Sequence, residues 1–194
     1  MLRPALPPLP FALAATAMLL GLPAGSVGAA PPPQFLPTEA RWCLQPPGPP
    51  TAAAPGGTVI PGSALNAATP VACIQLEVAR TPQQQSWGLM GRPPLAPLQG
   101  MWFPYARPEI LRFWMHHTPE PLDMVFLRQG RVIAIVAGAA PCPRLPCRSY
   151  GPEEPSDGVV ELAAGEAARL GLRPGSAALI TPLQASDRGA PGRD

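Results

Sequence analysis

Proline fills 32 of the 194 positions of this chain, and that limits its fold more than any other feature. A proline has a fixed φ and no amide proton, so helix interiors and central strands exclude it. Much of the chain must therefore be loop. Charged residues make up only 13%, against roughly a quarter in ordinary soluble domains. A chain of this length closes one hydrophobic core, and the expectation is one compact, β-rich domain. Every basic side chain is arginine, and the net charge of +2 is spread along the sequence. The concentrated basic stripe that nucleic-acid binding requires is missing, so no nucleic-acid partner is expected.

The N-terminus runs from Arg3 through prolines into an apolar stretch, Phe11 to Leu22, and then into small residues as far as Ala30. That is the order of a signal peptide, with Val27 and Ala29 placed for cleavage after Ala29. As a helix the apolar run would span about 18 Å, short of a ~30 Å hydrocarbon core, so no stable membrane span is expected once the leader is cut. The chain reads as residues 1–29 leader, 30–38 proline-rich lead-in, 39–182 single domain and 183–194 disordered tail. Within the domain, 72–181 form the core and 46–70 a flexible insertion. The expected location is the periplasm or the extracellular space.

Four cysteines, Cys43, Cys73, Cys142 and Cys147, accompany that leader, and an even number in an exported chain implies disulfides. Of three possible pairings, Cys43 with Cys73 and Cys142 with Cys147 is favoured. The second pair shares one proline-stiffened loop, and pairing a strand at Ala40 to Leu44 with one at Ala72 to Arg80 would bring the first pair together. Zinc held by Cys142, Cys147 and a histidine is the lesser alternative.

From Ala72 to Arg80, Ile74, Leu76 and Val78 alternate with Gln75, Glu77 and Ala79, the period of a strand with one buried face. Thr81, Pro82 and Gln84 announce a helix start with a capping box, and Gly91 a stop after Met90. Strands are expected at Met101 to Tyr105, Leu111 to His117, and Met124 to Arg128, the last turning at Gln129-Gly130 into Arg131 to Ala137. Gly138 to Asp157 is a long loop, Val159 to Leu162 a strand, Gly165 to Leu170 a short helix and Ala177 to Thr181 the closing strand.

In order and spacing, several of these segments resemble the bacterial and archaeal "domain of unknown function 192" family. The matching residues are Leu76-Glu77-Val78-Ala79 with Thr81; Gly88-Leu89-Met90 with Arg92; Gly100-Met101 with Phe103; Phe113-Trp114-Met115 with Thr118; Pro121-Leu122-Asp123 with Phe126; and Val160-Glu161-Leu162-Ala163 with Gly165. The resemblance covers about residues 72–181 and implies a mainly β domain with minor α+β character, single, small and β-barrel-like, with one or two short helices. It implies no defined activity. Where the family usually has lysine and asparagine after Trp114-Met115, this chain has His116 and His117.

Candidates for chemistry are few. Neighbours on a strand face opposite ways, so His116 and His117 cannot both serve one pocket if that strand is regular. His117 or His116 with Asp123 would make an acid-base pair for a small hydrolase or isomerase; alternatively, Asp123 bonds amides of the Pro119 to Pro121 corner. Arg92, Trp114, Asp123 and Tyr150 could floor a site for an oxygen-rich ligand such as a sugar or a carboxylated wall fragment. The same residues could equally serve packing and capping alone. No nucleophile elbow, phosphate loop, dinucleotide fingerprint or calcium loop occurs, so no cofactor and no metal are expected. The leading reading is a non-enzymatic envelope protein that binds a small polar ligand or another envelope component. An enzyme using Asp123 and a histidine comes second, and a structural accessory third.

Overall fold

The computed structural model describes residues 32–44 and 72–184. The leader, its cleavage zone, the 46–70 insertion and most of the 183–194 tail lie outside the described residues. Strands dominate. They are β1 (Thr38–Cys43), β2 (Cys73–Val78), β3 (Gln99–Glu109), β4 (Phe113–Trp114), β5 (Leu122–Arg128), β6 (Arg131–Ala139), β7 (Ser149–Tyr150), β8 (Ser156–Ala163) and β9 (Ile180–Pro182), with helices α1 (Pro82–Trp87) and α2 (Glu166–Arg169). Seven strands form one sheet in the order β6-β5-β8-β3-β2-β1-β9, and β4 pairs with β7 in a separate ribbon. All pairs in the large sheet are antiparallel except β2 with β3, which are parallel and joined through α1. The sheet does not close into a barrel. Its two edges are linked at one end, where Ser176 accepts from Val132 and Gly130 accepts from Ala178.

Strand alternation gives the sheet two different faces. On one, Trp42, Ile74, Leu76, Val78, Val125, Leu127, Val160 and Leu162 pack into one buried cluster. On the other, Met101, Phe103, Met124, Phe126 and Val159 pack against Leu111 and Met115. Because β5 and β8 are covered on both faces, they read as near-continuous apolar runs rather than alternating ones. Phe113 clamps the second layer, its ring edge-on to Phe103 and Phe126 at 5.1 and 6.2 Å; such pairs each add roughly 0.5–1.5 kcal/mol beyond burial.

Cys43 and Cys73 are direct cross-strand partners and are bonded, as are Cys142 and Cys147. With both thiols of the second pair joined, they are not available as zinc ligands. Closing the 30-residue separation of the first pair contributes about 3–4 kcal/mol on the chain-entropy account. The capping box forms as read: the Thr81 hydroxyl accepts from Gln84 N at 3.1 Å, and the Gln84 amide oxygen accepts from Thr81 N at 3.0 Å. At the hairpin, Gln129 and Gly130 both take positive φ, the geometry of a two-residue turn whose twist suits its strands.

Three local expectations need correcting. The first helix stops at Trp87 rather than Met90: Gly88 already has positive φ, and its amide closes the last helical bond to Gln84, so Leu89 and Met90 belong to a turn. The expected strand from Leu111 to His117 keeps only Phe113–Trp114, and His117 takes a φ of 54°. The closing strand begins at Ile180 because Ser176 to Ala178 are spent bonding the β5–β6 turn and the start of β6. Among the described residues, no helix is long and apolar enough to cross a membrane.

Candidate ligand-binding site

The positive φ at His117 removes the alternation that would separate the two histidines. Their rings lie together, with centroids 3.8 Å apart, and Trp114 stands 5.4 Å from His116. The chain is held in this bend by His117 N donating to Cys142 O and by Gly91 N donating to His117 O. The regular strand on which the separation of the two histidines depended is therefore absent. Burial first, and then the adjacent His117, lower the pKa of His116 from the ordinary histidine value, which favours its neutral form.

Asp123 is not brought to either histidine. It shares strand parity with Val125, on the opposite face from Met124, and is buried at 1% exposure. One carboxylate oxygen accepts from Gly138 N at 2.9 Å and the other from Ala167 N at 3.0 Å. It bonds backbone amides, as its structural reading anticipated, but those of α2 and the end of β6 rather than of the 119–121 corner.

Arg92 is likewise occupied. Two of its nitrogens grip Glu77 at 2.9 and 2.8 Å, one also donates to Gln34 O, and the Phe35 ring covers it at 4.2 Å. Glu77 accepts from Leu36 N as well, so this buried pair fastens the lead-in onto the domain. Tyr150 pairs with Phe113 across the small ribbon, and its hydroxyl accepts from Ala140 N at 3.3 Å. Of the four proposed ligand contacts, Trp114 stands at an open cleft with 45% of its surface exposed, and Tyr150 lines a separate recess with Arg148 and Val136 to Ala140.

The group that stands out there is Glu161. It lies midway along β8, flanked by Met101 on β3 and Met124 on β5, and is 5% exposed. Gly100 allows the backbones to approach here, since a Cβ at that position would stand 2.8 Å from the Glu161 carbonyl oxygen. Among the described residues no cation or hydrogen-bond donor engages the Glu161 carboxyl. Burial alone pushes its pKa up to about 8, so at neutral pH it is mostly the protonated acid. Its charge in turn contributes to the raised pKa of Tyr105, behind that ring's own burial and Glu109.

The carboxyl lines a pit of about 30 Å³ walled by Trp87, Met90, Phe103, Phe113, Trp114 and Thr118. The pit shares Gln85, Ser86, Phe113 and Trp114 with a recess of about 300 Å³ that extends to Tyr105 and Arg112. Thus α1, β3, β4 and β8 build one cleft with a carboxyl at its floor and aromatic walls. In the sequence Glu161 stands out only as part of the Val160-Glu161-Leu162-Ala163 motif. The available signal was a glutamate set among Val159, Val160 and Leu162, where a charged residue is rarely tolerated without a reason.

The fold as a whole is similar to solved structures. A crystal structure from Sinorhizobium meliloti 1021, described as a suggested transcription regulator, superposes with a TM-score of 0.57 at 27% identity, over 77% of this chain and 97% of that one. A protein of unknown function from Novosphingobium aromaticivorans DSM 12444 gives 0.52 at 35% identity, over 57% of this chain and 76% of that one. The family model for DUF192, described as uncharacterized ACR, matches residues 64–180, and the chain belongs to that family. A search of curated proteins finds no match.

Proposed function

We propose that this domain is a non-enzymatic binder of a small polar ligand, working in the cell envelope, and that the cleft over Glu161 is its site. The observation that carries this is the carboxyl itself. A buried acid without a hydrogen-bond partner costs a few kcal/mol, and an apolar side chain would pack between Met101 and Met124 without that cost. Retaining an acid at the floor of an aromatic cleft is expected where a bound molecule supplies the missing partner. Enzymatic chemistry has less support, because Asp123 is committed to amides on the far face of the sheet. Nucleic acid is disfavoured too. Arg80, Arg92, Arg112 and Arg169 are each paired with a glutamate, which diminishes any basic surface. The name given to the Sinorhizobium protein belongs to that protein.

Export is supported by the leader-like N-terminus and by all four cysteines standing in disulfides. Mass spectrometry of the protein from its host should show a chain beginning at Ala30 with no free thiol; an intact leader with four thiols would refute the location. The site is tested by thermal shift of the oxidised protein against a library of small polar fragments. Hits should raise the melting temperature of the wild type and lose that effect in Trp114→Ala. Hits that act equally on the variant would remove the cleft from consideration.

A further inference from the structure

The dimensions and chemistry of the cleft narrow what it can hold. The pit has a volume of only about 30 Å³, so only a small group reaches Glu161. The outer recess of about 300 Å³ is at the small end of ligand pockets. Trp114 offers an exposed indole face at its rim. Ser86 offers a hydroxyl and Gln85 its amide oxygen, the Gln85 nitrogen being committed to Pro104 O at 2.9 Å.

Charge narrows the choice further. Among the described residues the one cation lining the recess is Arg112, and its guanidinium is engaged by Pro152 O and by Glu153 Oε1 at 2.6 Å. Arg92, the other arginine that could answer a carboxylate, is held by Glu77. An anionic ligand would therefore find no unpaired positive charge in the cleft, and an acid beneath it. A cationic ligand would meet Glu161 in its uncharged form. A ring whose apolar face stacks on an indole while its rim carries uncharged hydroxyls meets every one of these surfaces.

We propose that the cleft binds a neutral sugar ring, stacked on Trp114, with one hydroxyl inserted into the pit and hydrogen-bonded to the Glu161 carboxyl. This rests on the cleft being the binding site. The protonated acid donates to that hydroxyl and accepts from it, so the buried group gains the partners that the protein withholds.

The test is a titration of the oxidised full chain with neutral methyl hexopyranosides and with the matching uronates, read from the indole N–H signals of its four tryptophans by two-dimensional NMR. At least one neutral hexoside should shift Trp87 and Trp114 and bind about tenfold or more tighter than its uronate. Trp114→Ala should weaken it by about tenfold or more. Glu161→Gln, which keeps a donor and an acceptor, should stay within about threefold, whereas Glu161→Met, sized for its methionine neighbours, should lose about tenfold with the fold intact. Uronates binding as well as hexosides, or hexoside binding that survives Trp114→Ala, would overturn the sugar assignment. So would polar fragments shifting Trp87 and Trp114 while no hexoside does, although the cleft would then stand as a binding site. If neither set moves those two signals, both the sugar and the cleft are refuted.

Discussion

The two faces of the central sheet each bury a carboxyl, and the protein treats them in opposite ways. On the Val125 face, Asp123 receives two backbone N–H groups and so satisfies the ends of α2 and β6. On the Met124 face, Glu161 is also buried but receives no donor from the described residues, and it lines a pit rather than a helix end. Both residues are buried, at 1% and 5% exposure, and the larger difference lies in what the backbone supplies. A satisfied buried acid is part of the framework, and an unsatisfied one beside a cleft is held for something that arrives from outside.

The largest expected effect comes from removing the satisfied one. Asp123→Ala leaves the buried amide of Ala167 and the part-buried amide of Gly138 without their acceptors, and should cost about 3–4 kcal/mol of unfolding free energy. Urea denaturation measures it. A loss under about 1 kcal/mol would mean that those amides find other partners, and the contrast between the two acids would lose its structural half.

The second acid should behave in the reverse sense. Its ordinary pKa of 4.5 rises to about 8 in the folded state, so between those values the native protein keeps a proton that the unfolded chain has released. Stability from this group is therefore fully present below about pH 4.5 and falls as pH rises, levelling off above about pH 8. Glu161→Gln removes the titration and should be more stable than the wild type at pH 7, by on the order of 2–3 kcal/mol. The gap should vanish near pH 4 and widen steadily to about pH 8. A variant whose stability tracks the wild type across that range would show that Glu161 is solvated after all.

How far the sequence revealed this contrast follows from which signals are local. The alternation in β2, the Gln129-Gly130 turn, the capping box at Thr81 and the cysteine pairing all depend on neighbours in sequence or on one strand pair, and all form as read. The faces on which Asp123 and Glu161 lie are set by sheet order, in which β8 sits between β5 and β3, and no local pattern gives that order. The side-by-side placement of the two histidines was not legible, because bonds between His117 and both Cys142 and Gly91, distant in sequence, impose the bend. Trp114 was legible as an amphipathic ring near a strand end, but the cleft beside it depends on α1 packing over β3 and β4.

The smallest expected effect probes whether the cleft wall is as built as its floor. Thr81 caps α1 from outside the cleft, touching neither Glu161 nor the aromatic walls, while Gln85, Ser86 and Trp87 project from the same helix into the lining. Thr81→Ala removes one N-terminal acceptor and should cost about 1 kcal/mol, the usual worth of such a cap. Since α1 has only six residues, much of that loss should appear as local fraying rather than global unfolding, because a helix this short has little cooperativity of its own. Hydrogen exchange should therefore accelerate at the Gln85 and Gly88 amides, which close the turns of α1, and remain unchanged in β5 and β8. A ligand held partly by this helix should bind severalfold more weakly, while one held by Trp114 and Glu161 alone should be indifferent. Acceleration spreading through β8 would instead show that the helix and the floor of the cleft unfold as one unit.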